Sequence, residues 1–413
     1  MNLRKVSIKS IYLFLMFLLP YADMINGYMI RQRGFYGIGS SFHTLLSILF
    51  VVVTLKKSNK GIFKKNLFLS IGTIILAITI NFIMGEKIDS ISIERIIKIE
   101  VTMLNFAALN YLMDSNRISK QEAIKIIYYQ CIVILSITLI SDITGTCNYA
   151  HWGNKGRMGL YSGTNEPVII LLTVMGFVLW LMHERSSFLD MLLFACGEVC
   201  LVMTESKAGM IMAAVYYAFF MYILYVRARN YSSIRNVILF MAGIIIIIIG
   251  IFFVYKFVVP SFIERQTRLM GVYIRSSGMT YLSSGRTLKI TKLLIDPILR
   301  IFTMGGIIEY ICAFLKLIVG QGAWFGYDDT VEMDFFDLLM YGGLIWGYIY
   351  IYNSAVVIRR VFIRQRNKLL LLTVLMVVIA SFFVGHVWTG GYCGVYFALF
   401  CIFIKNYQPK KMK

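Results

Sequence analysis

Residues 331–352 read VEMDFFDLLMYGGLIWGYIYIY. Three carboxylates, Glu332, Asp334 and Asp337, stand directly before an apolar run long enough to enter a bilayer. A charge at the centre of a membrane costs several kcal/mol, so the acids mark the mouth of a span and the run that follows reads as the span itself. Carried outward along the chain, the same reading decides the fold.

The chain has 413 residues, 59% of them hydrophobic and 15% charged, with a mean hydropathy of +0.74. Soluble domains carry roughly 25% charged residues, so this composition describes an all-α polytopic membrane protein. Apolar windows of roughly 17–23 residues, enough to cross a hydrocarbon core, recur about twelve times. They lie near 10–26, 36–55, 66–84, 96–114, 124–142, 166–182, 188–204, 208–226, 236–258, 338–356, 369–385 and 390–405. The N-terminus MNLRKVSIKSIYLFLMFLLPYADMI has the basic flank and apolar core of a signal peptide but no convincing small-x-small cleavage site, and reads as an uncleaved first span.

A net charge of +20 in a soluble chain would suggest nucleic acid. Here the basic residues fall in short clusters between apolar runs, where they set orientation, and no nucleic-acid partner is expected. The N-terminal Arg4, Lys5 and Lys9, then KKSNKGIFKK, RISKQEAIK, HERSS, VRARNYSSIR, RRVFIRQRNK and the tail KNYQPKKMK occupy alternate connections. By the positive-inside rule these are cytoplasmic, and so are both termini. The other connections, among them SDITGTCNYAHWGNKGRMGLYSGTNE, TESK and GHVWTGG, face outward. They include a loop of about eighty residues from Val259 to Asp337, unusual enough in length to suggest function. Its middle, PILRIFTMGGIIEYICAFLKLIVGQG, mixes apolar residues with Arg300, Glu309 and Lys316 and suggests helices lying at the interface. The chain thus divides into spans one to nine (1–258), the long outer loop (259–337), and spans ten to twelve with a basic tail (338–413). Its seven cysteines form no CxxC pair, so neither a zinc site nor a disulfide framework is expected.

Four outward-facing constellations carry candidate chemistry. Arg157 stands in the glycine-rich GNKGRMGLYSGTNEP, where backbone can approach a ligand and a guanidinium can grip a phosphate; a solvated arginine in a glycine-rich connection is the plainer account. TESKAGM holds Glu205 and Lys207 near the membrane surface, with Glu198 about 10 Å down the helix, either as a functional acid or as a packing device. In YLSSGRTLKITK, a turn leads into a helix beginning near Arg286, with Lys289 beyond it; Arg275 precedes it in the loop. A helix start favours anions, though a capped amphipathic helix also fits. The opening stretch, VGQGAWFGYDDT before it and GHVWTGGY near it in topology form the fourth group. Asp334 and Asp337 share a helix face, Glu332 can reach around the N-terminus, and His386 can titrate near neutral pH. Acids at a helix start are also favoured by the dipole alone, and a lone histidine also occurs as a packing residue.

Taken together, RMGLYSGTNEPVIILL, LVMTESKAGMIMAAV, YLSSGRTLKI and LIVGQGAWFGYDDTVEMDFFDLLMYGGLIWG resemble the Wzy-type bacterial polysaccharide polymerases of the O-antigen ligase and polymerase superfamily. The resemblance implies a GT-C-like, all-helical glycosyltransferase of the bacterial cytoplasmic membrane that needs neither metal nor cofactor. Its substrates would be undecaprenyl-pyrophosphate-linked oligosaccharides on the outer face, with a flippase and a chain-length regulator as candidate protein partners. Arg157, Lys207 and Arg286 would hold the pyrophosphate, while Glu332, Asp334, Asp337 or His386 would orient or deprotonate the acceptor hydroxyl. Ligases of the superfamily carry a histidine in the long loop and Val259–Asp337 has none, which favours a polymerase. A flippase for lipid-linked repeat units would show related halves and short connections, and neither is evident here.

Overall fold

The computed structural model describes residues 7–35, 37–56, 61–83, 90–151, 155–163, 165–185, 187–230, 286–295, 306–320, 331–365 and 368–406, with isolated positions between 241 and 299. Helix α1 (Ile8–Arg33) starts where the Ser7 side chain accepts the Ser10 amide at 3.1 Å and stops at Gly34, which takes the left-handed conformation at φ 65°. Then come α2 (Gly37–Thr54), α3 (Ile62–Ile83), α4 (Ser90–Asp114) and α5 (Lys120–Thr144), the last opened by a reciprocal capping box between Ser119 and Glu122. A two-stranded hairpin, β1 (Tyr149–His151) and β2 (Lys155–Arg157), pairs Tyr149 with Arg157.

The chain continues through α6 (Glu166–Glu184), α7 (Phe188–Met203) and α8 (Lys207–Asn230). Beyond it lie α9 (Arg286–Ile290), prolonged by a π-helical turn over Thr291–Ile295, then α10 (Ile307–Val319), α11 (Asp334–Arg360), α12 (Lys368–Val384) and α13 (Tyr392–Asn406). Among the described residues seven helices are long and apolar enough to cross a membrane, and three shorter apolar helices accompany them. The protein is therefore an all-α, multi-pass membrane protein. Most of the window near 236–258 and about half of 259–337 lie outside the described residues.

Helix α6 forms the centre of the bundle because its sequence is apolar on every face from Val168 to Met182. It packs against α5, α7, α8, α12 and α13, and at Gly176 it approaches Thr373 so closely that a Cβ would have no room. Buried amides tie the remaining helices together. Asn66 donates to Asn353 at 2.5 Å, Tyr12 to Asn105 at 3.1 Å, Asn105 to the Val395 carbonyl at 3.1 Å, and Gln130 to the Met16 carbonyl at 2.8 Å. In a lipid-facing bundle such contacts are worth roughly 0.6–2 kcal/mol each.

The opening stretch is one helix in sequence and two in space. Helix α11 begins at Asp334 and is broken at Gly343, whose φ of 61° and ψ of −156° no side-chain-bearing residue adopts readily. The C-terminus of α10 seats in that break. A Cβ at Gly343 would meet the Ile318 carbonyl, and one at Gly320 the backbone of Tyr341 and Gly342. Hydropathy shows the length of the apolar run but not this contact, which is why the run reads as a single uninterrupted span.

Short connections make consecutive helices antiparallel, so the bundle has two distinct ends. The starts of α2, α4, α6, α8, α11 and α13 gather at one end with the finishes of α5, α7 and α12. Lys9, Lys64, Arg117, Lys120, Arg185, Arg359 and Lys368 mark the other.

Candidate functional site

At the first of these ends, Arg286 opens α9 and its Nη2 donates to Glu332 Oε2 at 3.0 Å. Nη1 reaches the Phe383 carbonyl at 3.4 Å, while the buried Nε–H has no partner among the described residues. The pair joins the long loop to the mouth of α11 and the end of α12. Arg286 is 16% exposed at its side chain and Glu332 41%, so the pair sits at a rim with the cation on the inner side.

Two residues beside it hold left-handed backbone: Glu332 at φ 63° and His386 at φ 71°. Such conformations cost about 1–3 kcal/mol and persist only where surroundings impose them. Here Gly385, itself at φ 75°, lets the Glu332 carbonyl approach to 2.7 Å from where a Cβ would stand. The His386 carbonyl accepts the Cys393 thiol. Burial holds the His386 imidazole below its ordinary pKa; Asp334 and Glu332 oppose that shift, and Arg286 and Lys98 reinforce it. A neutral imidazole at neutral pH can accept a proton.

The two aspartates at the helix mouth hold the loops in place. Asp334 is fully buried and accepts five hydrogen bonds, from Ser381 Oγ at 2.5 Å, the amides of Val387, Trp388 and Thr389 at 2.8, 3.0 and 3.2 Å, and Thr389 Oγ1 at 2.6 Å. It pins the 385–391 connection to the start of α11. Asp337 accepts the amides of Val331 at 2.8 Å and Met333 at 3.1 Å, fixing Glu332 between them. A carboxylate so occupied serves poorly as a proton acceptor, and the donors to both aspartates lie outside α11, in Ser381, the 387–389 connection and the Val331–Met333 entry.

The other sequence candidates lie elsewhere on this end. Arg157 closes the hairpin and donates through Nη1 to the Asp142 carbonyl at the end of α5, and its strand packs against α7. Glu205, at φ 51°, and Lys207 form the tight turn between α7 and α8, where Ser206 Oγ accepts the Gly209 amide at 2.9 Å. Glu198 lies inside α7, within electrostatic reach of Tyr216 and Tyr217 of α8, and its Oε1 has no partner among the described residues. Lys289 is three residues along α9 from Arg286 and so shares its face. Arg275 lies outside the described residues. Arg286, Glu332, Asp334, Asp337 and His386 are thus brought together, whereas Arg157, Glu205, Lys207 and Glu198 belong to a neighbouring region around the α7–α8 turn.

Sequence reasoning missed four residues that join these regions. Lys98 of α4 packs its stem 3.1 Å from the position of a Cβ on Gly391, and its charge reaches both His386 and Glu166. Glu166, the first residue of α6, lies over Gly163, its Oε2 2.6 Å from where a Cβ would be. Asp23 of α1 is 4% exposed, lies 2.7 Å from His43 Nε2 and accepts the Tyr396 hydroxyl at 2.9 Å. Tyr161 is in electrostatic reach of Asp23, Cys200 and Glu166. The connection before α6 meets the α12 end where Asn165 donates to the Val384 carbonyl at 3.2 Å. An acid within a span, Asp23, was the one signal available in sequence. Among the described residues no group of three or more His, Cys, Asp or Glu could hold a metal ion.

No family model matches the chain, and neither the curated proteins nor the solved structures contain a significant match.

Proposed function

We propose that the protein is an oligosaccharide repeat-unit polymerase: a metal-independent glycosyltransferase of the bacterial cytoplasmic membrane, with about twelve spans, both termini inside and its site on the outer face. The substrates are undecaprenyl-pyrophosphate-linked oligosaccharides. The observation that carries this reading is the Arg286–Glu332 pair, with an Nε–H left over, beside a partly buried imidazole. A guanidinium with a spare donor suits a phosphate oxygen whose charge grows as the sugar–phosphate bond breaks, and Lys98 adds a second cation to that region. The basic connections at the opposite end of the bundle agree with an outward-facing site.

In this reading Arg286 and Lys98 grip the pyrophosphate of one lipid-linked chain, and Glu332 fixes the guanidinium between binding events. The acceptor hydroxyl of a second repeat unit attacks the anomeric carbon, and the lipid pyrophosphate leaves with the bonding electrons. The test is incubation of purified protein in nanodiscs with its lipid-linked repeat unit, without nucleotide or metal. A ladder of glycan lengths that is lost in Arg286→Ala supports a polymerase.

A transporter of the same lipid-linked substrate is the second reading, favoured by the part-buried Asp23–His43 contact and by the break in α11 at Gly343. It predicts movement of unextended repeat units across a vesicle membrane and no ladder.

A further inference from the structure

Such a transfer needs a proton acceptor, and the carboxylates at this end differ in how occupied they are. Asp334 and Asp337 accept amide and hydroxyl donors of the protein, Glu332 is engaged by Arg286, and Asp23 is held by His43 and Tyr396. Glu166 alone among these acids accepts no hydrogen bond from a described residue, although the Lys98 charge lies within its reach. Within electrostatic reach of it, Tyr161 is 3% exposed and its hydroxyl has no partner among the described residues. Buried hydroxyls are nearly always hydrogen-bonded, so an unpartnered one in reach of an unengaged carboxylate points to a polar ligand group that both would bind.

We propose that Glu166 is the general base and Tyr161 the orienting donor for the acceptor sugar hydroxyl. The inference rests on the polymerase reading and adds an acceptor subsite to it. Lys98 serves both halves of the site: its stem packs beside Gly391 and its charge reaches His386 on the Arg286 side and Glu166 on the other. Glu166 takes the hydroxyl proton as the oxygen forms its bond to the anomeric carbon of the donor. The bond from that carbon to the pyrophosphate oxygen breaks, and its electron pair leaves on the pyrophosphate, facing Arg286 and Lys98. The residue types suit the task, because a carboxylate and a phenol hydroxyl together can accept from and donate to one sugar hydroxyl.

The test uses the full-length protein in nanodiscs with lipid-linked oligosaccharide extracted from cells deleted for this gene, in the presence and absence of azide. Azide is already anionic at neutral pH and needs no base to attack the anomeric carbon. Glu166→Gln should lower chain extension at least about 100-fold, while azide-dependent release of polyprenyl pyrophosphate stays within about two-fold of wild type. Arg286→Ala should lose both, and Tyr161→Phe should lose extension by about ten-fold. Should Glu166→Gln fail to fold, Glu166→Asp is read in the same way, with at least about ten-fold less extension and azide release retained. Extension that survives in Glu166→Gln, or azide release that falls with extension, overturns the assignment of Glu166 while leaving the polymerase reading intact. Wild-type protein that extends nothing overturns both.

Discussion

Arg286 Nη2 lies 3.0 Å from Glu332 Oε2, across 46 residues of sequence, and this contact fastens the long loop to the mouth of α11. If the pair were only a clasp, removing either partner would cost the same and exchanging them would restore function. If the guanidinium also holds a phosphate, Arg286→Ala should lower chain extension by about 100–1,000-fold, and Glu332→Gln by less. The exchange Arg286→Glu with Glu332→Arg should stay inactive. Equal losses in the singles and recovery in the exchange would mean a structural clasp only.

Asp334 is predicted to govern stability first and activity second. Its five accepted hydrogen bonds hold the 385–391 connection, and an asparagine would turn an amide towards donors that need an acceptor. Asp334→Asn should destabilise the protein by about 3–5 kcal/mol, seen as a lower thermal midpoint in detergent and less folded protein in the membrane. Glu332→Gln, at the exposed rim, should leave the midpoint nearly unchanged. Similar midpoints for both variants would contradict this division.

Gly385 offers a contrast with Gly34. Both adopt left-handed backbone, at φ 75° and 65°, but a Cβ at Gly385 would press on the Glu332 carbonyl at 2.7 Å whereas one at Gly34 meets nothing within 4 Å. Gly34→Ala should cost about 1 kcal/mol of conformational preference. Gly385→Ala should cost that and more, and should also reduce extension by displacing Glu332. Thermal midpoints and extension rates of the two variants, measured together, separate these effects.

His386 gives a pH prediction. Burial lowers its folded pKa below the ordinary value of about 6.5. The unfolded chain therefore binds this proton more readily, so the stability due to the neutral imidazole is complete above the ordinary value and is lost as the pH falls through the folded one. His386→Asn removes the titration while keeping a residue that tolerates left-handed backbone. Between about pH 7.5 and pH 5 the thermal midpoint of wild type should fall relative to that of the variant. A constant difference would show that the imidazole does not titrate in this way.

Hydropathy placed the helices well because a bilayer imposes length and composition on each segment separately: the window at 166–182 falls within α6 and that at 369–385 nearly coincides with α12. The start of α9 at Arg286 was also readable, from the Ser-Ser-Gly sequence before it. The break at Gly343 was not, since it depends on α10 docking against it. Neither was the grouping of Asp23, Lys98, Tyr161 and Glu166 with His386, because it comes from contacts between segments far apart in the chain, such as Tyr396 with Asp23. Asp334 and Asp337 show a further limit: spacing places acids at a helix mouth but cannot tell whether their oxygens face protein amides or a substrate.

The most direct measurement is the glycan length distribution made by the purified protein from a single lipid-linked repeat unit, with nucleotide and metal withheld. The expected result is a ladder that grows with time, accompanied by released polyprenyl pyrophosphate and lost in Arg286→Ala. A folded wild-type protein that leaves the repeat unit unextended would contradict it.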